Sequence, residues 1–127
     1  MTRILLLDDN IEMVTMLRLV LEQRGYEVVW GRHGEDGLKL LNQSKHNPDL
    51  IISNLLMPTM DGLTFLDQVR GNTDWSSIPF IMMSAISSEE RKRAVFEHGA
   101  DAFLAKPFRY EDLNKTLNNL GLVAARA

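Results

Sequence analysis

Short apolar runs that each end on polar residues alternate along this chain with stretches of helical periodicity, and few folds accommodate that pattern. Ile4–Leu7 ends at Asp8-Asp9, Leu50–Ser53 at Asn54, Phe80–Met83 at Ser84-Ala85, and Ala102–Ala105 at Lys106-Pro107. A short continuous apolar run is what a strand buried on both faces requires. A further strand is expected at Glu27–Trp30. Between the runs lie stripes spaced three and four apart: Ile11, Val14, Leu17 and Leu21, then Leu63, Leu66 and Val69, and finally Tyr110, Leu113, Leu117 and Leu120. Such stripes give helices one apolar face. A strand-helix unit repeated five times implies a parallel sheet covered by helices on both sides, because right-handed crossovers place them there. Ligands of such sheets bind at the carboxyl ends of the strands, where strand order reverses. Asp8, Asp9, Asn54, Ser84 and Lys106 all sit at those ends.

Local signals set the expected boundaries. Asp9 reads as the N-cap of the first helix with Glu12 as its capping-box partner, and Gly25 as its stop. A second helix is expected over Gly34–Asn42. Asp61 reads as the cap of a third that stops at Gly71. Ser87 and Glu90 make a capping box for a fourth that ends near Gly99. One domain over residues 1–121 is expected, followed by a short tail or linker remnant, 122–127. At 127 residues such a domain buries enough surface for a core without staples.

The formal charge of -3 favours neither nucleic acid nor anionic membrane as a direct partner. Cysteine is absent, which excludes disulfides, zinc-thiolate sites and thiol catalysis, and makes the cytoplasm the default compartment. No apolar stretch approaches the ~20 residues of a membrane span. The glycines at 31, 34 and 37 do not make a dinucleotide-binding fingerprint, and neither a P-loop nor a Gly-x-Ser-x-Gly elbow occurs. The three histidines, His33, His46 and His98, show no metal-ligand spacing and read as surface residues.

Each strand-end residue has an ordinary role as well as a chemical one. Adjacent acids often cap a helix, but capping needs only one, and the pair Asp8-Asp9 also offers oxygen ligands to a hard cation such as Mg²⁺. Lysine in a turn is commonly a solvated surface residue. Lys106 follows an apolar run, however, so its ammonium is placed to reach across the strand ends. Ser84 is either a hydroxyl tied to nearby backbone or a donor to a phosphoryl oxygen, with Ala85 leaving room. Phe103 is most simply a core aromatic.

In order, these pieces resemble the response-regulator receiver domain of two-component signalling, similar to the bacterial chemotaxis regulator. The resemblance spans roughly Arg3 to Leu120. It rests on Asp8-Asp9, on Asp49 to Pro58 with Met60-Asp61-Gly62, and on Ser84-Ala85, Gly99-Ala100-Asp101 and Lys106-Pro107-Phe108. It implies a flavodoxin-like, doubly wound five-stranded sheet of order 2-1-3-4-5 with five helices. It implies that Asp8, Asp9 and the Leu56 backbone carbonyl hold Mg²⁺, that Ser84 and Lys106 contact a phosphoryl group, and that Phe103 is the aromatic whose rotation accompanies activation. The implied partners are a histidine kinase or phosphotransfer protein, and an output domain or protein on the face formed by the fourth helix, fifth strand and fifth helix. That face also allows a homodimer.

One position departs from the family: Asn54 stands where the phospho-acceptor aspartate belongs. An amide cannot form an acyl phosphate, so the self-phosphorylation and dephosphorylation chemistry of the family is expected to be lost and Mg²⁺ binding weakened. The Asn54 amide is expected to accept from Lys106 and to donate to Asp8 or Asp9, and itself to be a further metal ligand. Two readings follow, a pseudo-receiver that works by binding alone, or an ordinary receiver whose aspartate was replaced. The chain is accordingly expected to be a stand-alone regulator or an excised receiver. A more distant alternative is a small aspartate-dependent phosphatase using Asp8 or Asp9.

Overall fold

The computed structural model describes residues 2–122. Five strands alternate with five helices: β1 (Arg3–Leu7), α1 (Ile11–Gln23), β2 (Glu27–Gly31), α2 (Gly34–Gln43), β3 (Leu50–Asn54), α3 (Gly62–Gly71), β4 (Phe80–Ser84), α4 (Glu89–Glu97), β5 (Ala102–Ala105) and α5 (Tyr110–Asn119). All pairings are parallel, as the alternation predicts, and the order is β2-β1-β3-β4-β5, as the family resemblance implies.

Two cores form, one on each face of the sheet, because successive strand residues point to opposite sides. Ile4, Leu6, Leu50, Ile52, Ile81, Met83 and Leu104 pack under α1 and α5, against Val14, Leu17, Leu21, Leu113 and Leu117. Leu5, Leu7, Ile51, Phe80 and Met82 pack under α2, α3 and α4, against Leu41, Phe65, Leu66, Val69 and Val95. Phe103 packs against this second core. Both strand rows are apolar, which is why the sequence shows continuous runs and not alternation.

Two of the expected caps move by one residue. Asn10, not Asp9, caps α1: its side chain accepts from the Met13 amide at 3.2 Å. Asp8 takes the Asn10 amide at 3.0 Å, so the chain turns one residue later than the capping-box pattern suggested. Ser88, not Ser87, caps α4 by accepting from the Arg91 amide at 3.2 Å. Asp61 caps α3 as read, accepting from Thr64. Gly25 follows the end of α1 with φ of 91°, a left-handed turn that favours glycine. His33 is the N-cap of α2, its Nδ1 accepting from the Asp36 amide at 3.3 Å.

Leu122 packs against the α1–α5 core and donates its amide to the Leu117 carbonyl at 2.9 Å. The remainder of the tail expected at 122–127 lies outside the described residues. Among the described residues no helix is long and apolar enough to cross a membrane.

Candidate functional site

Strand register assembles the site. Leu7 pairs with Ser53, Asn54 with Met83, and Ser84 with Ala105. One residue further, Asp8, Asn54, Ser84 and Lys106 share the carboxyl edge of β1, β3, β4 and β5. Alternation then sorts them by face. Asp8 continues the row Ile4–Leu6, Asn54 the row Leu50–Ile52, and Lys106 the position after Leu104, all on the α1–α5 side. Ser53 belongs to the opposite row. It is fully buried and its hydroxyl donates to the Asn54 carbonyl at 3.0 Å, so it is not turned toward Asn54's side chain.

The central contact joins the first and last of these strand ends. Lys106 Nζ donates to Asp8 Oδ2 at 2.8 Å. Asp8 is 0% exposed and the Lys106 side chain only 16%, so this is a buried ion pair. Asp8 Oδ1 accepts from the Asn10 amide. Both Asp8 oxygens are therefore satisfied, as burial of a carboxylate demands. The Lys106 amide donates to the Ser84 carbonyl at 2.8 Å and the Lys106-Pro107 bond is cis.

Asn54 does not make the bonds first expected of it. Lys106 is committed to Asp8, and Asn54 Nδ2 donates to the Leu56 carbonyl at 2.7 Å. A carbonyl only accepts, so the nitrogen of the amide faces Leu56 and Oδ1 faces away. The Leu56 carbonyl is the very group that the resemblance assigns to a metal. Ser84 is buried, and its hydroxyl accepts from the Ile86 amide at 3.0 Å. This is the ordinary strand-end role of a serine, and its proton remains available for donation.

The loop after β3 is held close beneath the site. The Gly62 amide donates to the Leu55 carbonyl at 2.8 Å. A Cβ on Gly62 would lie 2.3 Å from the Asn54 carbonyl oxygen, so only glycine lets α3 start this near the end of β3. Phe103 sits off the pocket, partly buried on β5, with the Lys92 ammonium of α4 at 6.0 Å from its ring centroid.

The donor set suits a hard divalent cation in type: two carboxylates and a backbone carbonyl, all oxygen. Asp9 is exposed and has no ion-pair partner among the described residues. Asp8 and the Leu56 carbonyl, by contrast, already accept from Lys106 and Asn54. Among the described residues no three His, Asp or Glu side chains converge into a cation-holding group.

A second polar cluster escaped the sequence reading. Arg70 of α3 donates to the Gly99 carbonyl at 2.9 Å, to the Ile78 carbonyl at 2.8 Å and to Asp101 Oδ2 at 3.0 Å. The same Asp101 oxygen accepts from the Phe80 amide at 2.8 Å. The Gly99-Ala100-Asp101 run marked half of this cluster. Nothing local marked Arg70, whose partners lie up to 31 residues away.

With fold and site described, comparison with known proteins places the chain. Residues 4–118 match the response regulator receiver domain family, and the chain belongs to that family. It is 37% identical over 117 residues to the KDP operon transcriptional regulatory protein KdpE of Escherichia coli, covering 92% of this chain and 50% of that protein. To the protein PilH of Pseudomonas aeruginosa it is 33% identical, covering 93% of this chain and 96% of that one. The chemotaxis response regulator CheY4 of Vibrio cholerae superposes with a TM-score of 0.87 at 33% identity, over 94% of this chain and 98% of that one. The chain spans about half the length of several transcriptional regulators it matches.

Proposed function

We propose that this receiver works as a protein-interaction switch domain that does not accept a phosphoryl group at position 54. In the family reaction a carboxylate oxygen attacks phosphorus, the N–P bond of a phosphohistidine breaks, and an acyl phosphate forms, with Mg²⁺ and a lysine neutralising charge. Asn54 has no carboxylate. The observation that carries the reading is the Asn54 Nδ2 bond to the Leu56 carbonyl, which gives the amide a settled place at the strand end. Asp8, Asp9, the Leu56 carbonyl and, after rotation of its amide, Asn54 Oδ1 would hold Mg²⁺, which when bound screens phosphoryl charge. With one carboxylate fewer, and two of these acceptors already engaged, the affinity is weakened.

The partners that suit this reading are a histidine kinase or phosphotransfer protein at the strand-end pocket, and an output domain, output protein or second copy on the α4–β5–α5 face. A phosphatase using Asp8 is disfavoured, because both oxygens of that buried carboxylate are occupied.

A second reading is supported by the retention of Asp8, Asp9, Ser84 and Lys106 around the amide. A receiver whose acceptor aspartate had been replaced by Asn54 would keep all four. The codon at position 54 of the native gene separates the two readings.

The chemical test is fluorine NMR with beryllium fluoride and Mg²⁺, which mimic a phosphoryl group on a carboxylate. The Asn54 chain should show no bound fluoride resonances, and Asn54→Asp should show them. Bound resonances in the unaltered chain would refute the reading.

A further inference from the structure

Phe103 is the residue through which the family resemblance would connect the site to α4, yet it carries no hydroxyl with which a hydrogen bond could hold it. Its ring is only partly buried, and it faces the α2–α3–α4 side of the sheet. Lys92 lies in the first turns of α4 (Glu89–Glu97), with Nζ 6.0 Å from the Phe103 ring centroid. That is the outer limit at which a cation is drawn to the negative face of an aromatic ring. The rest of the lysine's surroundings compete weakly. Its nearest carboxylate, Glu89, stands 3.8 Å away on a side chain that is 89% exposed, where an ion pair contributes little. The Lys92 side chain is about two-thirds covered, so its stem lies along the protein while its charge reaches the ring.

We propose that Lys92 is the positioning residue for Phe103: its ammonium holds the ring in one orientation and so ties α4 to β5. A charge on the ring face does here what a hydroxyl does for a tyrosine. Any consequence for output through the α4–β5–α5 face rests on the receiver reading above. The positioning itself does not.

The test is side-chain NMR of the full chain, labelled at lysine and phenylalanine. The Lys92 ε-protons should be displaced upfield by the ring current and should lose that displacement in Phe103→Leu. In Lys92→Met, which keeps the stem and removes the charge, the ratio of major to minor Phe103 χ1 rotamers should fall about two- to fivefold. Lys92→Arg should restore the ratio, and Glu89→Gln should leave it unchanged. Unperturbed β1 and β3 amides would confirm that the fold is intact. An unchanged ratio in Lys92→Met, or Lys92 ε-protons indifferent to Phe103→Leu, would overturn the proposal. No phosphodonor or partner enters the measurement, so it stands or falls apart from the assignment of Asn54.

Discussion

Lys106 and Asp8 are 98 positions apart in the chain and 2.8 Å apart in space. Their contact closes the sheet edge from β5 to β1. A buried carboxylate that loses its only cationic partner keeps its desolvation cost and loses the attraction that offset it. Lys106→Met should therefore destabilise the protein by roughly 3 kcal/mol, read as a lowered urea midpoint at unchanged slope. A variant as stable as the parent would mean that solvent, not Lys106, satisfies Asp8.

Charge at position 54 gives a second prediction. Asn54→Asp replaces a donor to the Leu56 carbonyl by a third carboxylate beside Asp8 and Asp9. Lost hydrogen bonding and like-charge repulsion together should cost about 1–2 kcal/mol without metal. Mg²⁺ should recover that loss in the variant, because a ligand that binds only the folded state stabilises it, and should shift the parent's melting temperature much less. Isothermal titration checks the same point, and equal Mg²⁺ affinity in the two proteins would contradict the charge argument.

Arg70 tests the structure away from the site. Its guanidinium donates to the carbonyls of Ile78 and Gly99 and to the Asp101 carboxylate. Arg70→Met should cost about 2–3 kcal/mol by leaving the Ile78 and Gly99 carbonyls without a donor and Asp101 without its charged partner, though the Phe80 amide still donates to Asp101. Arg70→Lys should recover little of it, because a point charge cannot reproduce the fork. Chemical denaturation of both variants measures the difference.

The contrast between Arg70 and Lys106 shows what the sequence made legible. The strands, helices and strand-end residues follow from apolar periodicity, which is local or nearly so, while the sheet order was legible only through the family resemblance. Lys106 was visible because it follows an apolar run directly. Arg70 sits on a helix whose spacing says only that it faces partly outward, and its acceptors, backbone carbonyls and the Asp101 carboxylate, are brought there by folding. Likewise, Asn10 and Ser88 took the caps read for Asp9 and Ser87, because neighbouring residues of the same chemistry compete and the exact turn decides. The Asn54 bond to Leu56 was missed because its acceptor is a backbone carbonyl whose direction only the folded loop after β3 fixes.

Tyr26 supplies the pH dependence. Burial raises its phenol above the ordinary 10.0, with Arg24 opposing and Tyr110 adding to the shift. The folded protein thus holds this proton more tightly than the unfolded chain. The associated stability is fully present below pH 10.0 and is lost as pH rises through the higher folded value. Tyr26→Phe should flatten the fall in melting temperature on the alkaline side, and the phenolate absorbance of the parent should show one late-titrating tyrosine. Identical alkaline profiles would rule the linkage out.

The proposal that position 54 does not accept a phosphoryl group is tested most directly by intact-mass spectrometry after incubation with acetyl phosphate and Mg²⁺, run in parallel on the parent chain and Asn54→Asp. The aspartate variant should gain one phosphoryl group that alkali or hydroxylamine removes, and the parent should keep its mass. A parent chain that takes up a stoichiometric phosphoryl group would contradict the account.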